Sequence, residues 1–263
     1  MISQVNNVNI NNAYFAGKWN FFGLLSKRNC ALSTLPQQAD TFTRTIPDFK
    51  DITKGKFIHQ GREAEVYKTN NENYVLRIIK NHIYNPEELK PVNDGNGLIV
   101  AANKNNTIQL LRYMKGEPLY GRNWNIVYSE LNLSEYLETF NKIKNLPDEA
   151  FSEYMQTLEN IRKHGYDIDA FNPNNILLDG KKIHIVDIAK KKDTLKGVHI
   201  TDFYALVDYF HVKNFMSAMS NEEKIKFCND VEMLYDRIIA IAQKEGYTLQ
   251  RALPIPNYQG KEL

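Results

Sequence analysis

The chain has 263 residues and a mass of 30.5 kDa, 43% hydrophobic and 24% charged, enough for one two-lobed domain or two small ones with a real core. Thirty-three Lys and Arg against 31 Asp and Glu leave a formal net charge of +2, which argues against a dedicated nucleic-acid binder. No apolar run reaches the ~20 residues of a membrane-spanning helix, and two distant cysteines, Cys30 and Cys228, exclude a disulfide framework or a cysteine zinc site.

The first acidic residue is Asp40. The stretch before it is rich in Asn, Ser, Gln and Thr and lacks the apolar core and small-residue cleavage site of a signal peptide. Residues 1–50 therefore read as a flexible polar extension. From about Thr53 the pattern changes. Residues 56–60, 64–69 and 74–80 read as strands, the last two joined by a turn at Asn70-Asn71-Glu72-Asn73. Asn85-Pro86-Glu87-Glu88-Leu89 has the cap, the proline and the first-turn acids of a short helix that stops at Pro91. Strand-like runs follow at 97–101 and 107–114, with a turn at Asp94-Gly95-Asn96-Gly97.

After Pro118 the chain turns helical. Tyr136, Leu137, Phe140 and Ile143 fall on one face. Between Pro147 and Lys163, Phe151, Tyr154, Met155, Leu158 and Ile161 form one stripe, and Gly165 ends the helix. A hairpin is expected from 175–178 and 183–186 around Asp179-Gly180. Thr201 opens a helix through Phe210, and 221–243 is a further amphipathic helix carrying Ile225, Val231, Leu234, Ile238 and Ile239. The tail from Gly246 reads as extended on the surface. The expected class is α+β: a small β-rich lobe over 51–118, then a helical lobe over 119–263.

The chemistry concentrates in His164-Gly-Tyr-Asp-Ile-Asp169-Ala-Phe-Asn-Pro173-Asn-Asn175-Ile-Leu-Leu and Ile183-His-Ile-Val-Asp187. A helix delivers a loop with an Asp, an Asn follows, then a hairpin, then a second Asp at a strand end. Phosphoryl transfer from ATP needs such a set. One carboxylate orients the attacking hydroxyl, while an amide oxygen and a second carboxylate hold Mg²⁺, which prefers hard oxygen ligands. The six histidines show no metal-ligand spacing.

This segment resembles the catalytic loop and the magnesium-binding Asp of the protein-kinase-like fold, usually His-Arg-Asp-x-x-x-x-Asn and then Asp-Phe-Gly. The resemblance implies Asp169 as catalytic carboxylate, with Asp167 competing. It implies Asn175, or Asn174, and Asp187 as ligands of Mg²⁺ or Mn²⁺. The spacing from Asp169 to Asn175 is one residue longer than the family's, and Asp187-Ile-Ala replaces Asp-Phe-Gly. The segment from Ile58 to Tyr67 resembles the glycine-rich loop, with Gly61 kept, Ala64 in the last Gly position and Val66 over the adenine. Arg77 and Lys80 compete for the phosphate-binding Lys position. A turn centred on Asn71-Glu72 opposes residue 66 to residue 77 and favours Arg77. Glu87 is the implied ion-pair partner. Leu111 to Leu119 resembles the segment between lobes, and Asp202, in Thr201-Asp-Phe-Tyr-Ala-Leu-Val, resembles the Asp that braces the catalytic loop.

Asp202 follows Asp187 at a distance of only 15 positions, too short for a regulated activation segment, and no Ala-Pro-Glu motif appears. The likeness, over about 60% of the chain (residues 53–212), is to the truncated kinases that pathogenic bacteria inject by type III secretion. It implies an ATP-dependent Ser/Thr kinase acting on a host protein, a monomer secreted into the host cell or retained in the bacterial cytoplasm. The Asn-rich N-terminus then reads as the secretion signal. The alternatives are a small-molecule kinase of the aminoglycoside or choline phosphotransferase type, a nucleotidyl transferase on the same fold, and a pseudokinase binding module. Lys190-Lys191-Lys192 reads as a solvated basic loop.

Overall fold

The computed structural model describes residues 52–61, 63–80, 89–121 and 132–255. The expected short helix around Glu87 and the N-terminal extension lie outside them, apart from Leu89. The rest is a mixed α+β architecture: an antiparallel sheet first, a helical part after it. Three strands open the sheet: β1 (Lys54–Gln60), β2 (Ala64–Thr69) and β3 (Tyr74–Ile79). Short β4 (Lys90–Pro91), β5 (Ile99–Ala102) and β6 (Ile108–Arg112) complete it in the order β1-β2-β3-β6-β5-β4. The Asn-rich turn closes symmetrically. Val66 pairs with Arg77 and Lys68 with Val75, the register the turn residues dictate.

Beyond β6 the chain forms β7 (Glu117–Pro118), then α1 (Leu133–Lys144) and α2 (Asp148–Lys163). Asn132 caps α1 with its side chain, accepting from the Ser134 and Glu135 amides. Gly116 lets the chain press onto the later hairpin: a Cβ there would lie 2.8 Å from the Leu178 carbonyl oxygen. β8 (Tyr166–Asp167) precedes the loop of interest. The hairpin is β9 (Ile176–Leu178) and β10 (Ile183–Ile185), with β7 as its third strand, and β11 (Ala189–Lys190) pairs with β8. None of the two-residue strands was expected, because two residues carry no period.

The expected helix from Thr201 to Phe210 is a 3-10 helix over Ile200–Val207, ended by Asp208 in the left-handed conformation (φ 49°, ψ 63°). An unforeseen α3 (Val212–Ser217) follows. α4 (Asn221–Lys244) opens on a capping box of Ser220 and Glu223. Ile225, expected on the buried stripe of α4, is exposed. The tail is not merely a surface segment: Leu249 and Ile255 are buried and Tyr247 packs on the core.

Two apolar clusters hold the fold. The larger unites α1, α2, α4, the 3-10 helix and the hairpin, and it reaches into the sheet through Ile99 and Ala102. The smaller contains Ile52, Leu76, Ile78, Leu89, Ala101, Ile108 and Leu110. The turn expected at Asp94–Gly97 fastens the sheet to α2. Asp94 is fully buried and accepts the Asn96, Gly97 and Ile99 amides, while Asn160 of α2 donates to the Gly95 carbonyl at 2.9 Å.

Candidate functional site

Strand pairing gathers the sequence-predicted acids. β8 and β11 place Asp167 opposite Ala189, so the loop after β8 and the residues before β11 lie side by side. Between them, Asn172 caps a short 3-10 turn over Pro173–Asn175 by accepting the Asn174 amide at 3.0 Å. The turn aims the Asn175 side chain back at the loop, where Nδ2 donates to the Asp169 carbonyl at 3.1 Å. The Val186 amide in turn donates to the Asn175 carbonyl at 2.9 Å, which seats Asp187 next to it.

This geometry separates the competing residues. Asn175 is buried, and its side-chain amide is oriented with Nδ2 toward the Asp169 carbonyl, which leaves Oδ1, with no hydrogen bond among the described residues, as a donor atom for a cation. Asn174 is half-buried, and its backbone N–H donates to Asn172 Oδ1 at the head of the same turn. Asp169 is exposed, its Oδ1 accepting the Phe171 amide at 3.2 Å. Asp167 is buried and bound to Arg162, so no incoming hydroxyl reaches it.

The sheet supplies the cation. Arg77 Nη1 stands 2.8 Å from Asp187 Oδ1, and Nη2 donates to Oδ2 at 3.4 Å, a two-pronged contact across the two parts of the fold. Gln109 lies opposite Arg77 on β6 and accepts from its Nη1 at 3.3 Å. Gln109 Nε2 is held by Asn106 Oδ1 at 2.8 Å, which fixes the amide so that its oxygen faces the guanidinium. Sequence reasoning passed over Gln109. Its signal was a polar residue in an apolar strand. Lys80 lies past the end of β3, its amide on the Glu63 carbonyl, and it makes no ion pair among the described residues. Glu87 lies outside the described residues. Gly61 and Ala64 close the β1–β2 turn through a 2.8 Å backbone bond, with Ala64 buried and Val66 half-buried. A Cβ on Gly61 would meet only the Ala64 carbonyl, at 3.7 Å. The local fold therefore does not itself demand glycine there.

Asp187 feels opposing fields. Burial pushes its pKa up, Arg77 pulls it down, and the Glu63 and Asp169 carboxylates push it up again, with a net rise. A site that disfavours its own carboxylate charge gains when a further cation arrives. Among the described residues no three His, Cys, Asp or Glu side chains cluster closely enough to hold a metal by themselves. A divalent ion here would rest on Asp187 and Asn175 Oδ1, with phosphate oxygens and water filling its shell. Those are the hard oxygens that Mg²⁺ takes.

Behind the loop sits a buried charge network. Arg162 grips Asp202 through two bonds of 2.7 Å, Asp167 through Nε at 3.0 Å, and the Gly197 carbonyl at 2.7 Å. Asp202 also accepts the His199 amide at 2.7 Å. Burial opposes the charge on Arg162, but the two carboxylates outweigh it and raise the guanidinium pKa. The brace expected of Asp202 thus acts through Arg162, a residue the sequence reading missed. It hid as a last-turn cation of α2, yet it stands four residues after Leu158 and seven after Met155, on the apolar face. No family model matches this chain, and no curated protein matches it.

Proposed function

We propose that the chain is an ATP- and Mg²⁺-dependent phosphotransferase with a kinase-like fold, transferring phosphate to a hydroxyl of a protein. The observation that carries this reading is the convergence of Asp169, Asn175 and Asp187 from the loop and hairpin with Arg77 from the sheet. Asp169, exposed and with its carboxylate bonded among the described residues to one backbone amide, orients the acceptor hydroxyl and takes its proton. Asp187 and the Asn175 oxygen hold the cation side of the nucleotide. Arg77, on the strand beside the Gly61 turn, turns from Asp187 to the phosphates when these enter. Mg²⁺ supplies charge neutralisation on the transferring phosphoryl group. The sheet order, the brace behind the loop and the resemblance to injected bacterial kinases support one shared reading: an effector Ser/Thr kinase delivered to a host cell and acting on host protein, with the bacterial cytoplasm as the alternative compartment.

A second reading, a pseudokinase binding module, is favoured by Arg77 neutralising Asp187. Transfer from γ-labelled ATP with Mg²⁺ or Mn²⁺, with and without a eukaryotic lysate, separates the two. Protein labelling that disappears in Asp169→Ala and Asp187→Ala supports the kinase. Nucleotide binding by calorimetry without protein label moves the acceptor to a small molecule. Absence of both leaves the binding module.

A further inference from the structure

The loop that carries Asp169 continues into an aromatic cluster that the chemistry above does not use. Phe171, whose amide binds the Asp169 carboxylate, packs edge-on against Tyr204 at 5.6 Å and Tyr209 at 5.3 Å, with Phe210 at 6.1 Å. Tyr204 and Tyr209 stack at 5.1 Å. Tyr209 is 38% exposed and Phe210 42% exposed, uncommon for large rings packed on one another.

The fold holds these rings rigidly to the site. The Ala205 amide donates to the Ala170 carbonyl at 3.0 Å, tying the 3-10 helix to the residue after Asp169. Asp208 then adopts a left-handed conformation that a non-glycine residue reaches at a cost. It is held there, buried, by His211 Nδ1 at 2.7 Å and by the His211 and Val212 amides on its carbonyl. That turn is what delivers Tyr209 and Phe210 to solvent.

We infer that Phe171, Tyr209 and Phe210 form a docking shelf for the acceptor polypeptide, one that selects an apolar side chain close to the phosphorylated hydroxyl. The inference rests on the phosphotransferase reading. An acceptor that presents a hydroxyl to Asp169 must lie across what flanks Asp169, and on the Phe171 side that is this shelf. An extended segment advances ~3.3 Å per residue. The Tyr209 and Phe210 rings lie 5.3 and 6.1 Å from the Phe171 ring, so an apolar residue two or three positions along the acceptor, ~7–10 Å away, is the one offered to them.

The test uses the full chain and two sets of serine peptides, alike except for phenylalanine or glycine two and three residues to either side of the serine. Binding is read by fluorescence anisotropy and phosphate transfer by γ-labelled ATP. The phenylalanine peptides bind and react better, and Phe210→Ser and Tyr209→Ser erase that preference by about tenfold in KM, with kcat less affected. Thermal melting checks that each variant folds, and Phe210→Leu, still apolar, keeps the preference. Equal use of both peptide sets, or a preference that survives in both serine variants, overturns the shelf while phosphate transfer still stands. Peptide binding that depends on these rings with no phosphate transferred leaves a peptide-binding surface, sinks the phosphotransferase reading and removes the acceptor role with it. Neither binding nor transfer overturns both.

Discussion

Replacing Arg162 by methionine removes a cation from a place water does not reach. The side chains of Arg162, Asp167 and Asp202 are 2%, 4% and 1% exposed, so two carboxylates would stay buried, with Lys191, 4.0 Å from Asp167, the remaining cation paired to them among the described residues. Removing one partner from a buried ion pair costs about 3–5 kcal/mol, against the roughly 5–15 kcal/mol that holds a typical domain. For a domain of this size that is a fall in melting temperature of roughly 6–20 °C. The loss shrinks as pH falls, because protonating a stranded carboxylate removes its buried charge. The triple change Arg162→Met, Asp167→Asn, Asp202→Asn recovers much of the stability, since neutral amides need no counter-ion. Thermal melts from neutral to acid pH measure all of this. A fall of under about 1 kcal/mol, or a loss that grows in acid, refutes the account of Arg162 as a buried counter-charge.

Asp187→Asn tests the field around that carboxyl. Burial, with Glu63 and Asp169, holds its folded pKa above the unfolded value despite Arg77, so its charge costs stability at neutral pH, and the cost fades as pH falls through the raised pKa. The variant melts no lower than wild type at pH 7 and converges with it in acid; a clearly lower melting point at neutral pH contradicts this. Gly61→Ala leaves the melting temperature unchanged, as its Cβ meets nothing closer than 3.7 Å, yet weakens Mg-ATP binding several-fold in calorimetry, because phosphates need the bare backbone. Gly95→Ala is the opposite case. Its φ is +86° and its Cβ would overlap His164 Nδ1 and lie 2.8 Å from the Asn160 carbonyl, costing about 1–3 kcal/mol in denaturant titration.

Legibility in the sequence followed the range of the interactions. The β2–β3 register was readable because a four-residue turn fixes which residues face each other, and that placed Arg77 beside Val66. The stripe of α2 was readable because burial on one side imposes a period. Asn174 and Asn175 were not separable by spacing, since only the local 3-10 turn brings the Asn175 side chain to the Asp169 carbonyl. Arg162 escaped notice because its meaning lies in Asp202, forty residues on. The helix from Thr201 came out tighter and shorter because Asp208 turns the chain left-handed, which side-chain hydrophobicity does not encode.

The sharing of apolar contacts bears on motion. Ile99 and Ala102 are part of the helical core, and the Asp94–Gly97 turn is bonded to α2. Half of the sheet is thus mechanically an outgrowth of the helices. β1 is exposed along its whole length and bonds only to β2. A clamping motion over a nucleotide would then be the bending of a two- or three-stranded flap, with Arg77 at its root, rather than the swing of one rigid lobe on another. Amide exchange would show it as a gradient, fastest at β1 and slowing through β3 to β5.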